Sequence, residues 1–372
     1  MPNHTDISTQ SRPASVTAVR SPLPSEPPSI PVPTRPRAIY RDDSLDIAKG
    51  FGIITVVLGH CLLGLINAGF FPASATWPDT VTSTIYLFHM PLFFVISGHL
   101  ASSKHRPAAQ TIAKLIPAIV YPYFLWSILQ GLTQVYLTRF TTSHMSISSL
   151  YRILWIPIVP YWFLYALFLS QVFYLAIRKR SYGLQICVAV GLFLAPFVLF
   201  RLTSFLLPPI VFETTRGFLY FILGVVSVKQ VKQFGLWMAM ASTAFFAVLA
   251  TVIYQSQWGE PAHSLVSVLA ACAGIMATLA WARVLATHRH LVLSILSFLG
   301  RYSMSIYVMH IFFTAGIRIV FQRLHAQPTS SMTFLEIVTV TSLGIAIPLG
   351  INWLVSKLFL DKWFGLQHME SA

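Results

Sequence analysis

Charge is what this chain most lacks. Asp, Glu, Lys and Arg together make up 10% of its 372 residues, whereas a soluble domain carries roughly a quarter, because its surface must face water. So few charges cannot cover a globule of this size, and a water-soluble fold is excluded. Acidic residues are the scarcer kind, 11 against 25 Lys and Arg. A basic excess alone does not make a nucleic-acid binder, which needs a basic stripe with interleaved aromatics on a folded surface. Here the basic residues stand in short clusters between apolar runs, and nucleic acid is excluded as a partner. Cysteine is scarce too. Cys61, Cys187 and Cys272 each lie inside an apolar run, and no CxxC occurs. That rules out a disulfide framework, and no metal-ligand spacing is present, so the three read as buried free thiols and no metal is expected.

What is present instead is 55% hydrophobic residues, arranged in runs of about twenty. At 1.5 Å per residue that length crosses a hydrocarbon core of ~30 Å. The expected fold is an all-α integral membrane protein, a bundle of about ten transmembrane helices with a disordered N-terminal arm. The spans read roughly as 46–66, 83–102, 112–136, 161–177, 183–200, 213–228, 235–254, 265–286, 297–317 and 335–358. Pro117 and Pro122 interrupt the third, which membrane helices tolerate when neighbours re-satisfy the freed carbonyls. Residues 1–38, rich in Pro and Ser, hold too little apolar area to fold. The organisation expected is therefore an arm at 1–38, a membrane domain at 39–362 and a tail at 363–372. An even number of spans puts both termini on one side. That side collects most of the 25 Lys and Arg, which makes it cytoplasmic.

Ionisable groups inside a span are costly and face a cavity or a partner, so they are the first functional candidates. Three histidines qualify: His60, His89 and His310. In the first span Lys49 and His60 are eleven residues apart, just over three turns, so they share one face about 16 Å apart along the axis. Asp46, three residues before Lys49, can pair with its ammonium. In the second span, FHMPLFFVISG, Pro91 follows His89 closely and can open backbone polar groups toward a site. In the ninth, GRYSMSIYVMH, Ser303, Tyr307 and His310 fall at i, i+4 and i+7 on one face, with Arg301 at the cytoplasmic start. The three imidazoles fall at similar depth. Bland readings exist for each: a snorkelling lysine and histidines that hydrogen-bond across helices.

The chemistry such a group performs is proton transfer, since histidine is poised near neutral pH and serves as a general base when within reach of the reacting hydroxyl. Arg41, Lys49 and Arg301 at the cytoplasmic mouth suit phosphates. Coenzyme A, with its phosphorylated head and a long arm ending in a thioester, fits a site with phosphates at that mouth and reaction at His60.

The stretches SLDIAKGFGIITVVLGH, FHMPLFFVISGHL, YWFLYALF and LGRYSMSIYVMH resemble the membrane-bound acyltransferase family 3. Within it they are most similar to sugar O-acetyltransferases of the fucose 4-O-acetylase and exopolysaccharide type. The resemblance covers most of residues 40–360. It implies transfer of an acetyl group from acetyl-CoA, as co-substrate, to a glycan hydroxyl in a cell-surface or exported polysaccharide or its lipid-linked precursor. It also implies a bacterial inner-membrane location, with lipids and other polysaccharide-assembly proteins as partners. The family's hallmark is a basic residue eleven positions before a catalytic histidine, here Lys49 and His60. The family at large has arginine at the first position, so lysine keeps the charge and loses the planar fork. Carried over beside these are Trp162 and the pair Glu213 and Arg216, which at i and i+3 could bind each other or hold a sugar. The rival reading is a proton-coupled secondary transporter with the histidines as a relay. Transporters commonly show paired halves with matching broken helices, and none is found in this sequence.

Overall fold

In the computed structural model the chain divides into Met1–Arg41 and Asp42–Ala372. The described residues are 43–369 except 73, 104–105, 137–146, 228–232, 257–261, 289 and 325–329. The expected arm at 1–38, and Arg41 with it, lie outside them. Every element is a helix: α1 Asp43–Asn67, α2 Trp77–Ser102, α3 Ala108–Leu115, α4 Tyr121–Tyr136, α5 Trp162–Ile177, α6 Tyr182–Thr203, α7 Pro209–Val226, α8 Leu236–Gln255, α9 Ala262–Leu285, α10 Leu291–Arg301, α11 Ser303–Leu324, α12 Ser330–Lys357 and the short α13 Asp361–Phe364.

Among the described residues nine helical rods are long and apolar enough to cross a membrane. In a bilayer that outcome is forced, because only a helix satisfies its own backbone within the segment. The expected third span is one of them. The prolines do not break it: a π-helical turn over Ile116–Val120 joins α3 to α4, and such turns take up local irregularity in membrane helices. Two expectations need correction. The fourth span, at 161–177, is α5, apolar but only 16 residues long. The ninth, expected as one rod over 297–317, is two helices: α10 ends at Arg301, Tyr302 caps it at φ −102° and ψ 16°, and α11 starts at Ser303 and runs on to Leu324.

Two backbone crossings set the bundle. Gly50 of α1 lies against the Leu296 carbonyl of α10, and Gly300 of α10 lies against the Asp46 carbonyl of α1. The same reciprocal arrangement joins Gly98 of α2 to the Phe221 carbonyl of α7, and Gly224 of α7 to the Val95 carbonyl of α2. In each case a Cβ would overlap backbone, so glycine is required. Lipid is as apolar as leucine, and close approach through small residues is what brings membrane helices together.

Burial corrects one reading of the cysteines. Cys61 is buried and Cys272 half-buried, but Cys187 is exposed on α6, whose apolar residues mostly face outward.

Candidate functional site

Three of the helices bring the imidazoles together. His60 and His310 lie with ring centroids 5.2 Å apart. The Tyr86 ring stands between His60 and His89, with centroids 5.9 Å from the first and 4.8 Å from the second. The Tyr86 hydroxyl is 3.3 Å from His60 Nδ1. Gly59 makes room for this, since the Tyr86 ring packs directly on it. Sequence reasoning missed Tyr86, although it stands three residues before His89 and so shares a helix face with it.

The supporting hydrogen bonds fix the tautomers of two rings. His89 Nδ1 is 2.7 Å from the Ile85 carbonyl and His310 Nδ1 is 2.7 Å from the Tyr307 carbonyl. A carbonyl only accepts, so each Nδ1 donates, and in the neutral ring Nε2 carries the lone pair. Both rings are buried, and His310 Nε2 has no hydrogen-bond partner among the described residues. A buried nitrogen in that condition beside a second imidazole is suited to receive or share a proton.

His60, His89 and Tyr86 line a cavity of about 880 Å³. Trp162, Glu213, Arg216 and Tyr307 line it as well, as do Leu87 and Pro91. Pro91 has no N–H, so the Leu87 carbonyl one turn back loses its helical donor just where both residues face the cavity. Glu213 and Arg216 are paired, with Nη2 and Oε2 2.6 Å apart, so the two sequence readings of that pair are compatible: they bind each other and face the cavity. The rim comprises residues near the starts of α2, α7 and α9 and the end of α8, among them Thr80, Pro209, His263 and Tyr254.

Lys49 and Asp46 stand toward the other end of α1, joined at 2.5 Å. Arg301 is exposed at the end of α10. The Gly50–Gly300 crossing gathers these three at one rim, but none of them lines the cavity. Ser303 does not line it either, because the break at Tyr302 leaves it in the first turn of α11, half-exposed. Tyr307 does line it with its ring, but its hydroxyl donates to the Pro160 carbonyl at 2.5 Å and is not directed at a ligand.

That bond is part of a seam. Tyr161 donates to the Val308 carbonyl at 2.7 Å, Gln130 Nε2 donates to the Val159 carbonyl at 2.8 Å, and Tyr123 donates to the Ile153 carbonyl. Four side chains on or beside three helices thus hold residues 153–161, and Val159 and Pro160 form part of the cavity wall near His60. Each such bond contributes about 1 kcal/mol net, and together they keep an irregular segment at membrane depth with its carbonyls satisfied, as the hydrocarbon requires.

A second oversight of the sequence reading is Arg318, assigned there to the region beyond the ninth span. Because α11 runs to Leu324, Arg318 falls inside the helix and is 8% exposed. Glu336 of α12 is buried too. Among the described residues no group of three or more His, Cys, Asp or Glu is placed to hold a metal ion.

A family model described as an acyltransferase domain matches residues 42–353. The chain belongs to this acyltransferase family, and the multi-pass helical bundle around His60 is its acyltransferase domain. Among curated proteins it is similar to the nodulation protein NolL of Mesorhizobium japonicum, 32% identical over 137 residues, which are 35% of this chain and 34% of that protein. It is also similar to the nodulation protein NolL of Sinorhizobium fredii, 47% identical over 62 residues, 17% and 16% of the two chains. The alignments span about a third or less of the length of these relatives. No solved structure matches the chain significantly.

Proposed function

We propose that the protein transfers an acetyl group from acetyl-CoA to a hydroxyl of a glycan, in a cell-surface or exported polysaccharide or its lipid-linked precursor. The observation that carries this reading is His60 itself. It lies in the wall of a large cavity beside a second imidazole and a tyrosine hydroxyl, on the same helix face as a lysine near the other end of α1. Family membership supports acyl transfer; acetyl-CoA as donor and a glycan hydroxyl as acceptor are what the resemblance to sugar O-acetyltransferases implies.

His60 is the general base. It takes the proton of the acceptor hydroxyl as the oxygen attacks the thioester carbonyl. The carbon–sulfur bond then breaks, and the leaving thiolate of coenzyme A takes that proton from the imidazolium. His310 and His89, whose rings are grouped around His60 and Tyr86, orient the acceptor or the imidazole during this step. Lys49, with Asp46 orienting its ammonium, and Arg301 bind the phosphates, about three helical turns or 16 Å from His60, a distance the pantetheine arm covers. The glycan enters the large cavity from the opposite rim, with Trp162 as a stacking surface and the Glu213–Arg216 pair as hydrogen-bonding partners for its hydroxyls.

The setting is the bacterial inner membrane. The N-terminal arm at 1–38, the tail at 363–372 and both termini lie on the cytoplasmic side, where acetyl-CoA is found. Lipids surround the domain at 39–362, and polysaccharide-assembly proteins are its further partners.

The test is transfer of label from acetyl-CoA to endogenous glycan in membranes carrying His60→Ala. A general base typically contributes 10²- to 10⁴-fold, so loss of about that size is expected with insertion unchanged. Wild-type transfer by the variant would reject the role.

A further inference from the structure

Beyond His60 lies a second chamber. A cavity of about 270 Å³ is lined by Asn67, Gln130, Thr133, Gln134 and Arg318, and it shares His60, Leu63 and Val159 with the large cavity. It is therefore an annex, separated from the main cavity by those three residues. Its polar lining comes from α1, α4 and α11.

Arg318 is the residue that needs explaining. It is 8% exposed, and a charge buried at membrane depth costs several kcal/mol unless paired. One of its five N–H groups donates to the Gly64 carbonyl at 3.1 Å, and the arginine stem lies over Gly64 of α1. Among the described residues no carboxylate lies within ion-pair distance of the guanidinium. Glu336 shares the neighbourhood of Cys61 with it. Gln130 Oε1, buried on the annex wall, has no hydrogen-bond partner among the described residues either. A cation without its anion and a carboxamide with a free acceptor mark an unfilled polar site.

We infer that the annex binds a carboxylate-bearing sugar of the acceptor, with Arg318 as the carboxylate's partner. This rests on the acyl-transfer reading for its role, though not for the binding itself. A single guanidinium matches a monoanion, and its planar fork matches a carboxylate bidentately. A lipid diphosphate would call for more than one cation. The spacing fits as well. Gly64 is one turn beyond His60, a rise of ~6 Å, about the width of a pyranose ring. A uronate with its carboxylate on Arg318 thus presents a ring hydroxyl, or that of the adjoining sugar, to His60. Asn67, Gln130 and Thr133 then serve its remaining hydroxyls.

Equilibrium binding without any acyl donor tests this. Detergent-purified full-length protein is titrated with cellobiouronic acid, with cellobiose, which carries a hydroxymethyl group in place of the carboxylate, and with inorganic phosphate, following the melting temperature. A charge-assisted pair in a buried site predicts that cellobiose binds about tenfold to a hundredfold more weakly than the acid. Arg318→Gln should erase that difference and Arg318→Lys restore part of it. Gly316 lines the annex, and a Cβ there meets nothing within 4 Å. Gly316→Leu should therefore fill the annex and abolish the preference with Arg318 intact, covering the case in which Arg318→Gln does not fold. Equal binding of acid and neutral disaccharide by the wild type, or a preference that survives both substitutions, overturns the inference. So does phosphate binding more tightly than cellobiouronate through Arg318. Transfer of label from acetyl-CoA is read separately on the same wild-type protein. Binding without transfer in the wild type would then overturn the enzymatic reading and leave the carboxylate site standing.

Discussion

Two buried tyrosines face each other across the seam beside His60, and their hydroxyls are not equivalent. Tyr307 donates to the Pro160 carbonyl at 2.5 Å and Tyr161 to the Val308 carbonyl at 2.7 Å; both side chains are almost fully buried. The Val308 carbonyl sits inside α11, whose own ladder supplies an amide donor four residues on. The Pro160 carbonyl lies before the first turn of α5, and no backbone amide among the described residues donates to it. Tyr161→Phe therefore removes one of two bonds to its carbonyl, a loss of about 0.5–1.5 kcal/mol. Tyr307→Phe leaves a buried carbonyl unpaired and adds a desolvation penalty of about 1–3 kcal/mol to that loss. The orphaned carbonyl lies next to Val159, on the wall between the two chambers. The melting temperature in detergent should fall further for Tyr307→Phe than for Tyr161→Phe. Acetyl transfer should fall through kcat more than through the KM for acetyl-CoA. Equal destabilisation by the two substitutions, or a larger effect at Tyr161, would refute this reasoning.

Lys49→Ala should raise the KM for acetyl-CoA by about tenfold, the value of one charge-assisted contact at a partly exposed site, with Lys49→Arg close to wild type; initial-rate kinetics at saturating acceptor measure it. At the α2–α7 crossing, Gly98→Ala drives a Cβ onto the Phe221 carbonyl, which neither helix can relieve locally. A cost of about 1–3 kcal/mol or more is expected, read as loss of the monodisperse peak in detergent chromatography. Gly316→Ala, with open space around its Cβ, should instead be neutral or stabilise α11 by up to about 1 kcal/mol.

The spans were legible because the hydrocarbon imposes length and composition on each of them. What the bundle does with those spans was less so. Nothing in the local sequence marks Tyr302 as a break, and the backbone contact that α10 makes beside it, Gly300 on Asp46, is with a segment far away in the chain. Cys187 was misjudged because a membrane protein is apolar on both its packed and its lipid faces, so hydropathy carries no sign of which is which. The convergence of His60, His89 and His310 could be anticipated, because a depth in a span is a count of residues. Arg318 and Tyr86 escaped for opposite reasons. The arginine was assigned to a loop by ending the helix seven residues early, and the tyrosine looked like one more aromatic until its hydroxyl was placed against His60.

The paired glycine contacts carry a mechanical consequence. Where backbone meets backbone there is no side chain to repack, so α1 with α10, and α2 with α7, have no slack for sliding or tilting. Any breathing that opens the large cavity must be borne by parts that touch these pairs through side chains, such as α8 and the start of α9, which contribute to its lining. The His60 imidazole then keeps its station while the doorway moves around it.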